Sequence, residues 1–309
     1  AFSTLGAYVY LKNKFQPPPN QLSFEEELIE IPFFWESTKG KFNDEGPGAI
    51  VVPIALQKNS EQYYMHLDLG APYSVLYQNQ MESIAKKSKT IDLIEENGSR
   101  IVTDLRFFLD TIPILARNLF VVPSPKNEIL DSNTKIKIIG ILGADLIENR
   151  RVVINYPEKK ILMGKTFPEP LVTKAVFSPF SFNGRRVALP ATIQNTKHKL
   201  LYQTGPGEYD LLTTNKNWDK LVSRDENIKD GRITLWNNQV RASIASVQFP
   251  MEVGGIRIPV NTLASVEGIP FMQRMILRLS GITAITGNQL FFDNILLLDT
   301  TQERFAIVR

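Results

Sequence analysis

Carboxylates are the reactive groups that this sequence leaves available for chemistry. The chain of 309 residues has no cysteine, which excludes disulfides, thiolate metal sites and cysteine nucleophiles. Its two histidines, His66 and His198, are too few for a histidine-rich metal centre. Phosphate-binding loops, dinucleotide glycine fingerprints and Gly-x-Ser-x-Gly elbows are absent from the sequence. We therefore expect any reaction to use paired carboxylates as acid and base, with no cofactor and no metal.

Asp68 is the first candidate for such a role, because it ends an apolar run and precedes a glycine. The segment Met65–Ala71 reads Met-His-Leu-Asp-Leu-Gly-Ala. An aspartate between two strands is more commonly a turn residue than a catalyst. The case for Asp68 therefore depends on the rest of the chain. His66 is expected on the same face of the strand, in a satisfied polar contact.

Two segments of the chain recur in the same order, which predicts a duplicated lobe. The stretch 143–161 matches 287–305. Gly143 aligns with Gly287, and the apolar run 152–154 aligns with the apolar run 296–298. Independently, 66–76 matches 201–212. This second match places Gln203 opposite Asp68. We predict an amino-terminal segment at 1–46, a first lobe at 47–165 and a second lobe at 173–309.

Most of the chain has the β-branched and aromatic runs that are typical of strands. An all-β fold of small closed or distorted barrels is predicted, with few short helices. The predicted strands cover 49–56, 62–68, 105–114 and 119–122, and a hairpin at 91–103 turns at Asn97-Gly98. The predicted helices cover 80–87, 145–149 and 268–279.

These motifs resemble those of the pepsin-like and retropepsin-like aspartic peptidases. That family has an apolar strand, Asp-Thr/Ser-Gly and, later, two apolar residues before glycine, once in each lobe. The corresponding segments here are Asp68-Leu-Gly-Ala71, followed by Ile138-Ile-Gly140 with Leu142-Gly-Ala-Asp145, and Gln203-Thr-Gly205, followed by Ile285-Thr-Gly287. The resemblance covers residues 48–309. It implies a two-lobed acid-protease fold with a peptide-binding cleft between the lobes.

The resemblance also implies roles for individual residues. Positions 68 and 203 would carry the catalytic pair, on loops that include Leu69, Gly70, Ala71, Thr204 and Gly205. Hairpin tips at Asn97, Gly98 and Trp236 would lie over the cleft as flaps.

Two departures from the family pattern argue against ordinary catalysis. Leu69 replaces a bracing hydroxyl, and Gln203 replaces the second carboxylate. We therefore expect a peptide-binding homologue that is weakly active or non-catalytic. The alternative is a working endopeptidase in which Asp68 pairs with Glu208, with Asp210 or with Asp68 of a second chain. A third hypothesis is a scaffold whose cleft is filled by its own amino-terminal segment.

The termini and the charge bear on location and partners. The net charge is only +3, with basic and acidic residues interspersed, so no nucleic-acid partner is expected. Residues 1–11 are mostly apolar and precede a proline tract at 17–19. They are the end of a signal peptide or membrane anchor, or they form a strand or helix that packs on the rest of the protein. The first interpretation predicts an extracytoplasmic protein. Residues 25–35 are predicted to add a strand beneath the lobes. The oligomeric state stays open.

Overall fold

A computed structural model describes residues 16–24, 28–36, 42–43, 47–57, 61–87, 91–96, 98–124, 136–205, 209–213, 215–222, 228–235, 238–269 and 271–309. Statements about the fold refer to these residues. The strands of the first half are β1 Leu22–Ser23, β2 Ile29–Pro32, β3 Phe34–Glu36, β4 Phe42–Asn43, β5 Ala49–Leu56, β6 Gln62–Leu67, β7 Val75–Tyr77, β8 Asp92–Glu96, β9 Ser99–Leu109, β10 Ile112–Val122, β11 Ile138–Leu142, β12 Arg151–Asn155 and β13 Lys160–Gly164.

The second half continues with ten further strands in the described ranges. They are β14 Ser178–Pro179, β15 Ala188–Ile193, β16 Thr196–Tyr202, β17 Leu211–Thr213, β18 Ile228–Leu235, β19 Asn238–Val253, β20 Ile256–Val266, β21 Ala284–Thr286, β22 Ile295–Asp299 and β23 Arg304–Val308. The described helices are α1 Gln78–Lys87, α2 Glu169–Val172, α3 Asn215–Leu221 and α4 Phe271–Leu279, with a 3₁₀ turn at Asn288–Phe291.

Two closed six-stranded barrels form the body of the molecule. The first barrel has the order β5-β6-β11-β7-β10-β9 and closes by pairing of β9 with β5. The second has the order β15-β16-β21-β17-β20-β19 and closes by pairing of β19 with β15. The two orders correspond strand for strand. The predicted all-β two-barrel class is confirmed, and it is compatible with a two-lobed acid-protease fold.

A six-stranded sheet of order β14-β23-β22-β12-β13-β2 joins the two halves of the chain. Val153 in β12 is the direct antiparallel partner of Leu297 in β22. These two residues are counterparts in the sequence repeat. Direct pairing of counterparts places a local two-fold axis between them. β2 adds the amino-terminal strand that the pattern at 25–35 predicted, and it pairs with β13.

The largest core cluster extends through both barrels and the joining sheet. Trp35 in β3 is 1 % exposed and stacks on Tyr156, with ring centroids 5.9 Å apart. Tyr156 follows β12, so aromatic burial fixes the amino-terminal strands on the joining sheet. In the described part of the chain, no helix is long and apolar enough to cross a membrane.

Three local predictions need correction. The strand predicted at 105–114 is two strands, because the chain turns at Asp110 with a positive φ of 53°. The helix predicted at 145–149 is a run of turns, in which the carboxylate of Asp145 accepts hydrogen bonds from the N–H and hydroxyl of Ser74. α4 begins at Phe271 rather than at position 268.

Candidate interlobe site

Asp68 lies at the end of β6, where the neighbouring strand fixes its backbone. Its N–H donates to the carbonyl of Leu142 at 3.0 Å. The next turn closes when the Ala71 N–H donates to the Asp68 carbonyl, also at 3.0 Å. The Gly70 N–H then donates to Asp68 Oδ1 at 2.8 Å. The turn therefore orients the carboxylate with backbone donors.

Gln203 occupies the counterpart position at the end of β16. Its N–H donates to the carbonyl of Thr286 at 3.0 Å, as that of Asp68 donates to Leu142. Leu142 and Thr286 are themselves counterparts in the repeat. The sequence match that set Gln203 against Asp68 is therefore also a match of backbone geometry.

The loops that carry these two residues pack against each other through their glycines. A Cβ added to Gly70 would lie 2.8 Å from Cδ of Gln203 and 3.0 Å from Oδ1 of Asp68. A Cβ added to Gly205 would lie 2.9 Å from Cγ of Asp68. Each loop thus needs glycine because the other loop's polar side chain occupies that space. The structure brings Asp68 and Gln203 together.

Thr204 braces this contact from one side. Its hydroxyl accepts a hydrogen bond from the Leu69 N–H at 3.0 Å and donates to the Leu67 carbonyl at 2.5 Å. Leu69 occupies the corresponding place on the first loop and is fully buried in the core cluster. The interlobe brace is therefore present in one direction only.

Asn288 stabilises the loop that carries Gln203, and no motif in the sequence marks it. Its side-chain amide donates to the carbonyls of Gly48 at 2.8 Å and Thr204 at 2.9 Å. Its Oδ1 accepts a hydrogen bond from the hydroxyl of Tyr156 at 3.0 Å. Its counterpart in the repeat is Ala144, so the repeat gave no signal for it.

Burial is the main influence on Asp68. Desolvation raises the pKa of its carboxyl above the ordinary 3.8, against the lowering effect of hydrogen bonds from the Gly70 and Gly205 backbones and of nearby His66. His66 itself pairs with Glu36, which confirms the expected polar contact.

Gln203, unlike Asp68, is a neutral amide. It is 2 % exposed, and its Nε2 has no hydrogen-bond partner among the described residues. A buried donor without an acceptor is costly. The site therefore contains a neutral amide donor beside a carboxyl group that burial keeps neutral to a higher pH than usual.

Asp210 and Glu208 are the other carboxylates of this chain that were considered as partners of Asp68. Asp210 is 2 % exposed, and its Oδ2 accepts hydrogen bonds from the N–H groups of Asn261 at 2.7 Å and Thr262 at 2.9 Å. Asp210 thereby ties the segment before β17 to strand β20 of the second barrel. Glu208 lies outside the described residues.

The two hairpins that the resemblance predicts as flaps are present as pairs of strands. β8 and β9 pair up to Glu96 and Ser99, and Gly98 between them has a φ of 74°. This confirms the predicted Asn-Gly hairpin, although Asn97 itself lies outside the described residues. β18 and β19 pair up to Leu235 and Asn238. Trp236, between them, also lies outside the described residues.

No protein-family model matches the chain, and no match was found among curated proteins. The likeness to aspartic peptidases rests on the motifs, on their repetition and on the two barrels.

Proposed function

We propose that this protein is an aspartic-peptidase homologue that binds an extended peptide between its two lobes without cleaving it efficiently. The two equivalent barrels and the paired loops support the kinship. The observation that carries the proposal is the position of Gln203, which packs on Gly70 where a second carboxylate would face Asp68.

Peptide hydrolysis by such a pair needs two carboxylates that share a proton. The ionised member takes a proton from water, while the protonated member polarises the peptide carbonyl. The amide of Gln203 can neither ionise nor carry that shared proton. Positioned acid–base catalysis contributes roughly 10²–10⁴-fold to a rate. Losing half of a pair that acts as a unit costs more than its share.

The remaining groups are suited to binding a peptide backbone. Nε2 of Gln203 is buried and has no acceptor among the described residues, so we expect its side chain to turn towards a bound peptide and to donate to a peptide carbonyl oxygen. Asp68 in its neutral form donates to the same oxygen. The raised pKa of Asp68 extends this neutral form to a higher pH than an exposed aspartate allows.

The test is incubation of a mixed peptide library with the protein at acid pH, with both cleavage and retention read by mass spectrometry. We expect retained, intact peptides, and loss of retention in Asp68→Ala and Gln203→Ala. Asp110→Asn, in the exposed turn between β9 and β10, is the matched control and should retain the same peptides.

Cleavage that disappears in Asp68→Asn would overturn the proposal and indicate a working endopeptidase. A specific activity that rises with protein concentration would then point to Asp68 from two chains. Absence of both cleavage and retention would also contradict peptide binding.

A further inference from the structure

A polar cavity lies on the hairpin of β18 and β19, and none of its lining residues belongs to the loops of Asp68 and Gln203. It has a volume of about 520 Å³, within the range of small-ligand sites. Its charged and hydroxyl groups come from Asp230, Arg232, Arg241, Ser243 and Glu267. The interlobe site does not use any of them.

Two arginines stand directly opposite each other in this cavity. Arg232 of β18 is the antiparallel partner of Arg241 of β19, and both side chains are exposed. Among the described residues, neither guanidinium makes an ion pair or a side-chain hydrogen bond. Like charges directly opposite on a sheet destabilise the pair. The two acids of the cavity, Asp230 and Glu267, balance the net charge, but among the described residues neither makes an ion pair with these arginines, so the guanidinium groups keep their capacity to bind an anion.

The cavity continues the inner face of the second barrel. Side chains alternate along β19, so Arg241, Ser243 and Ala245 share a face. Ala245 belongs to the core cluster that fills the barrel. Val240 and Ala242 point the other way, into a separate cluster. Arg232 and Arg241 therefore lie on the face of the hairpin that, further along β19, packs into the core of the barrel.

The flanking acids restrict the ligand. Asp230 lies opposite Ser243 in the register, and the Glu267 N–H donates to the Arg241 carbonyl at 3.0 Å. Two arginines and two acids leave the cavity without net charge. A polyanion or a phosphate dianion is repelled by Asp230 and Glu267. A single carboxylate with a cation beside it is matched, because the carboxylate meets the two arginines and the cation meets the two acids.

We propose that this cavity binds an acidic side chain of a peptide segment that also carries a basic residue, with Arg232 and Arg241 holding the carboxylate. Paired guanidinium groups suit a carboxylate because each presents N–H donors in a planar fork. This site does not depend on the proposed function of the Asp68 loop.

The test is fluorescence anisotropy with a labelled peptide of alternating glutamate and lysine, at low ionic strength. We expect binding that weakens about tenfold or more in Arg232→Gln and Arg241→Gln, as for loss of a charge-assisted hydrogen bond. A peptide with glutamine in place of glutamate should bind the parent protein no more tightly than the glutamate peptide binds these two variants. Inorganic phosphate should not displace the probe.

Arg257→Gln is the matched control. Arg257 is an exposed arginine of the same barrel, and its cross-strand partner is Glu252 rather than another arginine. It should leave the affinity within about twofold, the scale of a surface charge contribution.

Stability separates a binding role from a structural one. If the arginines serve a ligand, Arg232→Gln should leave the free energy of unfolding unchanged or raise it, because a like-charge pair is removed. Loss of stability in Arg232→Gln would overturn the proposal. Equal binding of the glutamine peptide, displacement by phosphate, or no binding of the probe would also overturn it.

Discussion

The hydroxyl of Thr204 accepts a hydrogen bond from the backbone N–H of Leu69 at 3.0 Å, and Leu69 has no hydroxyl to return it. The two loops that bring Asp68 and Gln203 together are therefore braced asymmetrically. The hydroxyl brace between the loops depends on a single buried side chain, which makes Thr204 the first residue to test.

Thr204→Val should lower the free energy of unfolding by about 2–4 kcal/mol, because it leaves the Leu69 N–H and the Leu67 carbonyl without a buried partner. Urea denaturation measures this. Thr213→Val is the matched control, since Thr213 is equally buried and its hydroxyl has no partner among the described residues. It should be neutral or stabilising. Similar losses in both variants would contradict the bracing role.

Asp68→Asn should change the pH dependence of stability. Burial raises the pKa of Asp68 in the folded state, so the ionised carboxyl costs folding free energy. This cost is absent below the unfolded pKa, near 3.8, and grows as the pH rises through the folded value. We expect the variant to gain stability relative to the parent as the pH rises, with no gain in strong acid. Urea titrations across this range measure the difference, and a difference that did not vary with pH would argue against a buried ionisation.

Gly205→Ala should destabilise the interlobe contact, because its Cβ would lie 2.9 Å from Cγ of Asp68. Overpacking of this kind costs about 1–3 kcal/mol. The cost should shrink in an Asp68→Ala background, where the obstructing carboxylate is gone. A double-mutant cycle measures this coupling. Additive effects of the two changes would show that the clash lies elsewhere.

Gln203→Asp should restore little peptide cleavage at acid pH, although it recreates a pair of carboxylates. The new side chain is one methylene shorter, and Leu69 still leaves the first loop without its hydroxyl brace. Digestion of the peptide library at acid pH, compared with the parent protein, measures the gain. Robust turnover from this one change would mean that the second carboxylate was the sole missing element.

The sequence by itself determined the fold class and the correspondence between the lobes. Alternating apolar runs with turn residues specify strands locally, and two matched segments in the same order specify duplication. Val153 and Leu297 illustrate this: their equivalence is readable in the sequence, and the joining sheet pairs them directly. Gln203 was also found this way, because its backbone position repeats that of Asp68.

Only the tertiary structure decided which polar groups meet. Asn288 contacts Gly48, which lies 240 positions earlier in the chain. Glu36 reaches His66 because β3 pairs with β5, and β5 in turn pairs with β6. The facing arginines at 232 and 241 depend on the register of one hairpin, where a shift by one residue would change every partner. The contacts of Asn288 and Glu36 arise from the packing of strands that are distant in the chain, and no local pattern of residues records them.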